Sequence, residues 1–202
     1  MDIKAVGFDY IGVTAHLNGP SIFDVVGEIT GHSFDEVKAV YGQHNAGFQV
    51  GSITKDQLWS AVASELDASG QIDKILAAAA ADLPVVDPEM LAFVDKVRAA
   101  GYKTGLLSNL APETPWDEGM RAAGVPNHFD VVMLSGDVGL AKPDPNLYRL
   151  FAGQLGVDTH ELIFTDDRQA SLAGVEFIGV RPIVFENLAQ LKAQLTKLGV
   201  KL

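Results

Sequence analysis

Several short apolar segments of the sequence are followed by polar or charged side chains that could take part in catalysis or bind a ligand. Three carboxylates, a hydroxyl and an ammonium group lie at or shortly after the ends of these segments, on Asp9, Asp166, Asp167, Ser108 and Lys142. Ligands of open α/β sheets bind outside the carboxyl ends of the strands, so we expect these side chains to share one edge of a sheet. An acidic cluster with a nearby lysine suits a divalent cation together with an anionic group such as phosphate. One of the carboxylates could also act as a nucleophile.

The segments that precede these side chains have the character of buried strands. Residues 3–8 are short and apolar and stop at Asp9, which predicts a first strand. From residue 102 onward strand and helix patterns alternate, with predicted strands at 102–107, 131–134, 162–165 and 181–184. Predicted helices start at residues 88, 115, 145 and 187. This alternation predicts an α/β fold with a doubly wound parallel sheet and helices on both faces.

Residues 21–82 break the alternation and look helical throughout. Two capping boxes start helices in this block, Ser33 with Glu36 and Thr54 with Gln57, because each pair supplies the side chains that satisfy the free N–H groups of a first turn. We therefore expect a helical bundle inserted after the first strand. The predicted division is a core of residues 1–16 and 82–202 and a helical cap of residues 17–81.

The composition narrows the class of protein. The chain of 202 residues has no cysteine, which excludes disulfides, thiolate metal sites and cysteine nucleophiles. Its 15 basic and 26 acidic residues give a net charge of −11, which argues against binding to nucleic acid or anionic membranes. Neither a signal-peptide pattern nor a membrane-spanning apolar run is visible. We expect a cytoplasmic monomer or homodimer that binds neither nucleic acid nor membrane.

Four short motifs occur in order along the chain, each at the end of a predicted strand. They are FDYIGV at 8–13, LLSN at 106–109, SGDVGLAKPDP at 135–145 and FTDD at 164–167. Together they resemble the four ordered motifs of the haloacid dehalogenase-like (HAD) hydrolase superfamily, whose Rossmann-like core carries a helical (C1) cap in one subfamily. Within that subfamily the chain resembles phosphatases of the epoxide-hydrolase N-terminal type and sugar-phosphate phosphatases, most clearly at residues 51–59.

The resemblance implies roles for the residues around a substrate. Asp9 would be the nucleophile and would form an aspartyl-phosphate. Ser108 would hydrogen-bond the transferring phosphoryl group, with Asn109 beside it as a substrate-binding residue. Lys142 would neutralise charge on nucleophile and phosphate and would keep the Asp9 carboxylate ionised. Phosphoryl transfer depends mainly on positioning and charge neutralisation, which these residue types supply.

Mg²⁺ is the cofactor that the resemblance implies. Its ligands would be the carboxylates of Asp9, Asp166 and Asp167, together with the main-chain oxygen of Ile11. Of the two adjacent acids, Asp167 is expected to be the more direct ligand. The implied function is a magnesium-dependent phosphatase that acts on a small phosphorylated metabolite.

Ile11 departs from the pattern of the family. Most of its phosphatases carry a second aspartate at this position, which is first the general acid for the leaving group and then the base for water. Isoleucine cannot move a proton, and such catalysis contributes about 10²–10⁴-fold in rate. Ile11 therefore favours a leaving group that departs without a proton, or a proton donor elsewhere; His16 and, more weakly, His44 could replace the missing group.

Ile11 also leaves three alternatives open. A 2-haloacid dehalogenase expels halide and needs no general acid, but that branch of the family does not use magnesium. A phosphonate hydrolase would need a cap lysine that forms a Schiff base, for which Lys38, Lys55 and Lys74 are present. A catalytically impaired relative that binds a phosphate ligand or a protein partner is the alternative from another class.

Overall fold

Strands and helices alternate along most of the chain, of which a computed structural model describes residues 2–111 and 114–202. The strands in this part are β1 (Ala5–Phe8), β2 (Ala15–His16), β3 (Val85–Val86), β4 (Lys103–Ser108), β5 (Val131–Leu134), β6 (Leu162–Asp166) and β7 (Arg181–Val184). The α-helices are α1 (Ile22–Thr30), α2 (Phe34–Gln49), α3 (Lys55–Glu65), α4 (Ile72–Ala81), α5 (Pro88–Ala99), α6 (Pro115–Ala122), α7 (Ser135–Val138), α8 (Pro145–Leu155) and α9 (Leu188–Lys197). No helix among the described residues is long and apolar enough to cross a membrane.

Five of the strands form one parallel sheet in the order β5-β4-β1-β6-β7. β1 lies at the centre, where Phe8 is level with Leu106 of β4 and with Thr165 of β6. The carboxyl ends of these three strands therefore reach the same edge of the sheet within about two residues of each other. This confirms the predicted parallel α/β sheet.

Helices cover both faces of the sheet, as predicted. On one face, Met90 of α5, Met120 of α6 and Leu191 of α9 belong to one buried apolar cluster. On the other face, Leu147 and Phe151 of α8 belong to a second cluster. Strands covered on both faces are apolar on both faces, which is why their segments stand out as short apolar runs in the sequence.

The helix starts follow the capping signals of the sequence. Both predicted capping boxes form, between Ser33 and Glu36 at α2 and between Thr54 and Gln57 at α3. The Asp144 side chain caps α8, and proline occupies the first position of that helix. Each cap satisfies N–H groups that would otherwise lack a partner in the first turn.

Helices α1 to α4 form a helical lobe, residues 22–81, which lies between β2 and β3 along the chain. The lobe has its own buried cluster, which includes Val26, Val37, Leu58, Trp59 and Ile75. The helical block expected after the first strand is therefore four helices packed on one another. The division into a core of residues 1–16 and 82–202 and a cap of residues 17–81 stays a prediction.

Two short features of the fold have no counterpart in the sequence patterns. β2 and β3 pair in antiparallel fashion, with Ala15 opposite Val86, and join the segments that enter and leave the helical lobe. α7 is a single turn at a place where the sequence predicted a loop. A strand of two residues and a single helical turn are too short to give a periodic signal.

Candidate active site

Three buried side chains meet at the carboxyl edge of the sheet. Asp9 follows β1, Ser108 ends β4 and Asp166 ends β6, and each of them is at most 4% exposed. Lys142 reaches the same place from the loop between α7 and α8 and is also buried. The sequence predicted this meeting because parallel strands direct their carboxyl ends to one edge.

The ammonium group of Lys142 lies between two carboxylates. Its Nζ atom is 2.8 Å from Oδ1 of Asp9 and 2.5 Å from Oδ2 of Asp166. It also lies 5.3 Å from the centre of the Phe164 ring, within the range of a cation–π contact. When both carboxylates are ionised, one positive charge between them leaves this buried group with a net negative charge.

Burial raises the pKa of the Asp9 carboxyl to about 6, even though Lys142 acts in the opposite direction. The charge of Asp166 adds to the rise, and the main-chain N–H of Tyr10, 2.7 Å from Oδ1, opposes it. Lys142 thus lowers the pKa of Asp9, as expected, although burial outweighs the ion pair and the pKa stays above its usual value. Near pH 7 the carboxylate form of Asp9 still predominates, so the group can act as a nucleophile.

Asp167 completes a group of three carboxylates. One oxygen from each of Asp9, Asp166 and Asp167 lies within 4.8 Å of the others. Burial, together with the neighbouring Asp166, raises the pKa of Asp167. A site that offers only oxygen ligands fits a hard cation such as Mg²⁺, and Ile11 lines the same cavity. The donor set predicted from the sequence thus fits the metal that the resemblance implies.

The two adjacent acids differ in the bonds they already make. Asp166 accepts from Lys142 through Oδ2 and from the main-chain N–H of Arg168, 2.9 Å away, through Oδ1. Asp167 is exposed as a whole residue, although its carboxylate lies against the loop that follows β1 and is partly shielded there. A Cβ atom placed on Gly12, whose φ is +92°, would lie 2.4 Å from Cγ of Asp167, so the position requires glycine. Asp166 therefore orients Lys142, and Asp167 is the more accessible of the two acids.

Asn109 is tied to the backbone of Lys142. Its Oδ1 accepts from the main-chain N–H of Lys142 at 2.8 Å, and its Nδ2 donates to the main-chain oxygen of the same residue at 3.1 Å. The same Nδ2 lies 3.3 Å from Oε1 of Gln49 in the helical lobe. These bonds tie Asn109 to the backbone of Lys142, and both Asn109 and Ser108 line the cavity above Asp9.

A cavity of about 230 Å³ lies between the sheet edge and the helical lobe; we refer to it as the active-site cavity. Asp9, Ser108 and Asp167 belong to its core side, and α2 supplies the lobe side. The residues that α2 contributes are Tyr41, Asn45, Phe48 and Gln49. The sequence analysis missed these residues because no motif marks them; only the docking of the lobe brings them to the site.

The two histidines considered as substitutes for the missing aspartate lie elsewhere. His16 Nε2 is 3.5 Å from Oδ2 of Asp87, and His44 Nε2 is 2.6 Å from Oε1 of Glu65. Neither is among the described residues that line the active-site cavity. Since Ile11 does line it, the cavity has an apolar side chain where a proton donor was considered.

Comparisons with known proteins agree with this geometry. The family described as haloacid dehalogenase-like hydrolase matches residues 3–179 of the chain. A phosphoserine phosphatase from Thermus thermophilus is 36% identical over 97 residues, which are 48% of this chain and 39% of that protein. A phosphatase from Mycobacterium tuberculosis is 26% identical over 196 residues, 94% of this chain and 90% of that one. The chain thus spans well under half of the first relative and most of the second.

The fold is shared with solved structures. A HAD family enzyme from Bacteroides thetaiotaomicron, determined as a magnesium complex, superposes with a TM-score of 0.73. The match covers 95% of this chain and 99% of that one at 20% sequence identity. At this identity the likeness shows the fold alone.

Proposed function

Because the chain belongs to the haloacid dehalogenase-like hydrolases, we propose that it is a magnesium-dependent phosphatase. The proposed reaction transfers the phosphoryl group of a small phosphorylated metabolite to Asp9 and from there to water. The observation that supports it best is the Lys142 ammonium group between Asp9 and Asp166 in a cluster of three carboxylates. Phosphoryl transfer is accelerated mainly by positioning and charge neutralisation, and such a cluster supplies both.

Asp9 is the proposed nucleophile. One of its carboxylate oxygens forms a bond to phosphorus while the ester P–O bond breaks, and the leaving group departs with the electron pair. Water then attacks the phosphorus of the aspartyl-phosphate, which releases inorganic phosphate and restores the carboxylate. Oδ1 of Asp9 already accepts from Tyr10 N–H and contacts Lys142, so the nucleophile is oriented before a substrate arrives.

The residues around Asp9 neutralise and hold the phosphate. We propose that Asp9, Asp167 and the main-chain oxygen of Ile11 hold Mg²⁺, with Asp166 alongside. The bound cation supplies positive charge next to the phosphate oxygens. Ser108 hydrogen-bonds the transferring group, and Lys142 adds its ammonium charge.

The helical lobe is proposed to act as the cap of this site. Tyr41 and Gln49 of α2 line the active-site cavity, and Gln49 lies 3.3 Å from the amide of Asn109 in the core. A lobe in this place excludes water from the reaction and contacts the part of the substrate beyond the phosphate. Substrate selection is therefore expected to depend on lobe residues.

The test is phosphate release from acetyl phosphate, phenyl phosphate and a panel of sugar phosphates, in Mg²⁺ and in EDTA. We expect turnover that needs Mg²⁺ and is lost in Asp9→Asn. Asp167→Asn is expected to weaken the rise in melting temperature that Mg²⁺ produces. Asp73→Asn is the matched control, because Asp73 is exposed in the first turn of α4, is not among the described residues that line the active-site cavity, and should leave the response to Mg²⁺ unchanged.

A 2-haloacid dehalogenase is the second candidate, and Ile11 is the observation that favours it. Halide leaves without a proton, so an apolar residue at this position does not hinder the reaction. Chloride release from 2-chloropropionate in EDTA, without phosphate release from any ester, would show that the protein is a dehalogenase and not a phosphatase. Inactivity on both kinds of substrate, with phosphate still bound, would indicate a binding protein.

A further inference from the structure

A second, larger cavity lies beside the active-site cavity, between the helical lobe and the core. This second cavity has a volume of about 350 Å³, within the range of about 300–1,000 Å³ that is usual for small-molecule sites. Tyr41, Phe48, Leu110 and Trp116 line both cavities. The two cavities are therefore neighbours that share these four side chains, and a ligand that occupies both would pass between them.

Aromatic rings form much of the wall of the second cavity, which we name the aromatic pocket. Its rings are Phe23, Tyr41, Phe48, Trp59 and Trp116. The Tyr41 ring centre is 5.1 Å from that of Phe23 and 5.2 Å from that of Trp59. Rings at these distances hold one another in place, so the pocket presents ordered ring surfaces to an occupant.

Three polar side chains of the aromatic pocket already have partners within the protein, and Ser21, Tyr41 and Asp82 also line it. The indole N–H of Trp116 donates to the main-chain oxygen of Asp82. Lys55 Nζ donates to the main-chain oxygen of Ala79 at 2.5 Å and lies 5.8 Å from the centre of the Trp116 ring. Thr114 Oγ1 donates to the main-chain oxygen of Ala111 and caps α6.

This wall suits an aromatic occupant better than a sugar. A sugar would bring several hydroxyl groups, and burying them without hydrogen-bond partners is unfavourable. An aromatic ring instead gains contact with other rings and with the Lys55 ammonium.

We propose that the aromatic pocket binds the leaving group, and that the substrate is an aryl phosphate, the phosphate monoester of a phenol. The inference rests on the proposed phosphatase function and adds the class of its substrate. Ile11 supports it independently, because a phenol is a far stronger acid than an alkyl alcohol, as the pKa of about 10 of the tyrosine side chain shows. An aryl oxide therefore leaves without the general acid that this chain lacks.

Binding to the pocket can be measured without turnover. The two tryptophans of the chain, Trp59 and Trp116, both line the aromatic pocket. We expect 2-naphthol to quench their fluorescence in a saturable way. Phe23→Ala removes one ring of the wall. Gly19→Phe, at a lining position where a Cβ meets nothing within 4 Å, adds a bulky side chain that fills space the occupant needs. Each is expected to weaken naphthol binding about 5- to 10-fold, whereas Phe177→Ala, at a ring that is 89% exposed, should not.

Hydrolysis then tests whether the pocket holds the leaving group. Phenyl and 2-naphthyl phosphate have leaving groups of similar acidity, and acetyl phosphate has a good leaving group without a ring. In Phe23→Ala and Gly19→Phe we expect kcat/KM to fall about 5- to 10-fold for the two aryl esters and to stay unchanged for acetyl phosphate.

The outcomes separate this inference from the proposed function. If the pocket variants changed the turnover of acetyl phosphate and of the aryl phosphates equally, the proposed role of the aromatic pocket would be wrong, and the phosphatase function would be unaffected. Saturable naphthol binding without hydrolysis of any ester would overturn the phosphatase and the leaving-group role together. Absence of saturable naphthol binding to the wild-type protein would overturn the pocket directly.

Discussion

Ile11 lines the active-site cavity two residues after Asp9, and its side chain packs partly against the core. If the chain lacks a proton donor there, restoring one should matter most for leaving groups that need a proton. We predict that Ile11→Asp raises kcat for alkyl phosphates at least about tenfold and for aryl phosphates by less. Phosphate release from ethyl and phenyl phosphate measures both effects.

Ile11→Asn is the control for this substitution, because asparagine has the size and polarity of aspartate but no proton to transfer at neutral pH. It should leave the ratio of the two rates as in the wild-type protein. Equal gains for ethyl and phenyl phosphate in Ile11→Asp, or no gain for either, would contradict the account of the missing acid.

Lys142 joins two carboxylates whose side chains are at most 6% exposed, and its own side chain is fully buried. Its removal would leave two buried carboxylates side by side without a counter-charge. We predict that Lys142→Met lowers the free energy of unfolding by about 3–5 kcal/mol, measured by urea denaturation at pH 7 in EDTA. Adding Asp166→Asn to that variant should restore part of the loss, since it removes one of the charges. A double variant as unstable as Lys142→Met would show that lost packing, and not charge, causes the effect.

The loop after β1 has little space for a side chain at Gly12, beside Asp167. Gly12 has a φ of +92°, and a Cβ there would press on the Asp167 carboxylate. We predict that Gly12→Ala lowers the free energy of unfolding by about 1–3 kcal/mol and also weakens the rise in melting temperature produced by Mg²⁺.

Gly101→Ala separates these two effects. Gly101 has a φ of +93°, but a Cβ there would meet nothing within 4 Å. The variant should therefore show the loss of stability from backbone strain and keep the full response to Mg²⁺. An equal response to Mg²⁺ in Gly12→Ala and Gly101→Ala would mean that the contact with Asp167 has no role in holding the cation.

The elements that the sequence could predict are those with strong local signals. β5 and β7 have the predicted bounds, and α8 begins after Asp144 and ends before Gly156, as its capping residues indicate. β1, β4 and β6 differ from the predicted bounds by one or two residues, because strand ends depend on the neighbouring strand. β2 and β3 were beyond prediction because their pairing joins distant segments, and α7 because a single helical turn gives no periodic signal.

The candidate site likewise has residues that the sequence could place and residues that it could not. Asp9, Ser108 and Asp166 could be placed together in advance, because parallel strands bring their carboxyl ends to one edge. Tyr41 and Gln49 could not, since they reach the cavity only through the docking of the helical lobe. The pKa of Asp9 was also out of reach, because it depends on burial that no local pattern reveals.

At the scale of the whole molecule, two contacts besides the one between Gln49 and Asn109 relate the helical lobe to the core near the site. The β2–β3 pair joins the two segments that connect the lobe to the sheet. At the other end, the Ser135 hydroxyl of α7 donates to the main-chain oxygen of Gln49, the last residue of α2. The first contact acts at the covalent connections, so opening the lobe would have to break the second.

We predict that Ser135→Ala favours opening of the lobe without unfolding it. One lost hydrogen bond contributes about 0.5–1.5 kcal/mol, which corresponds to about a 2- to 10-fold shift in the opening equilibrium. Amide hydrogen exchange around residues 45–52 should accelerate by that factor, while exchange in β1 and β6 stays unchanged. Ser52→Ala is the matched control, because the Ser52 hydroxyl donates to the main-chain oxygen of Gly47 inside the lobe. If both variants accelerated exchange equally, local fraying of α2 and not release from the core would be the cause.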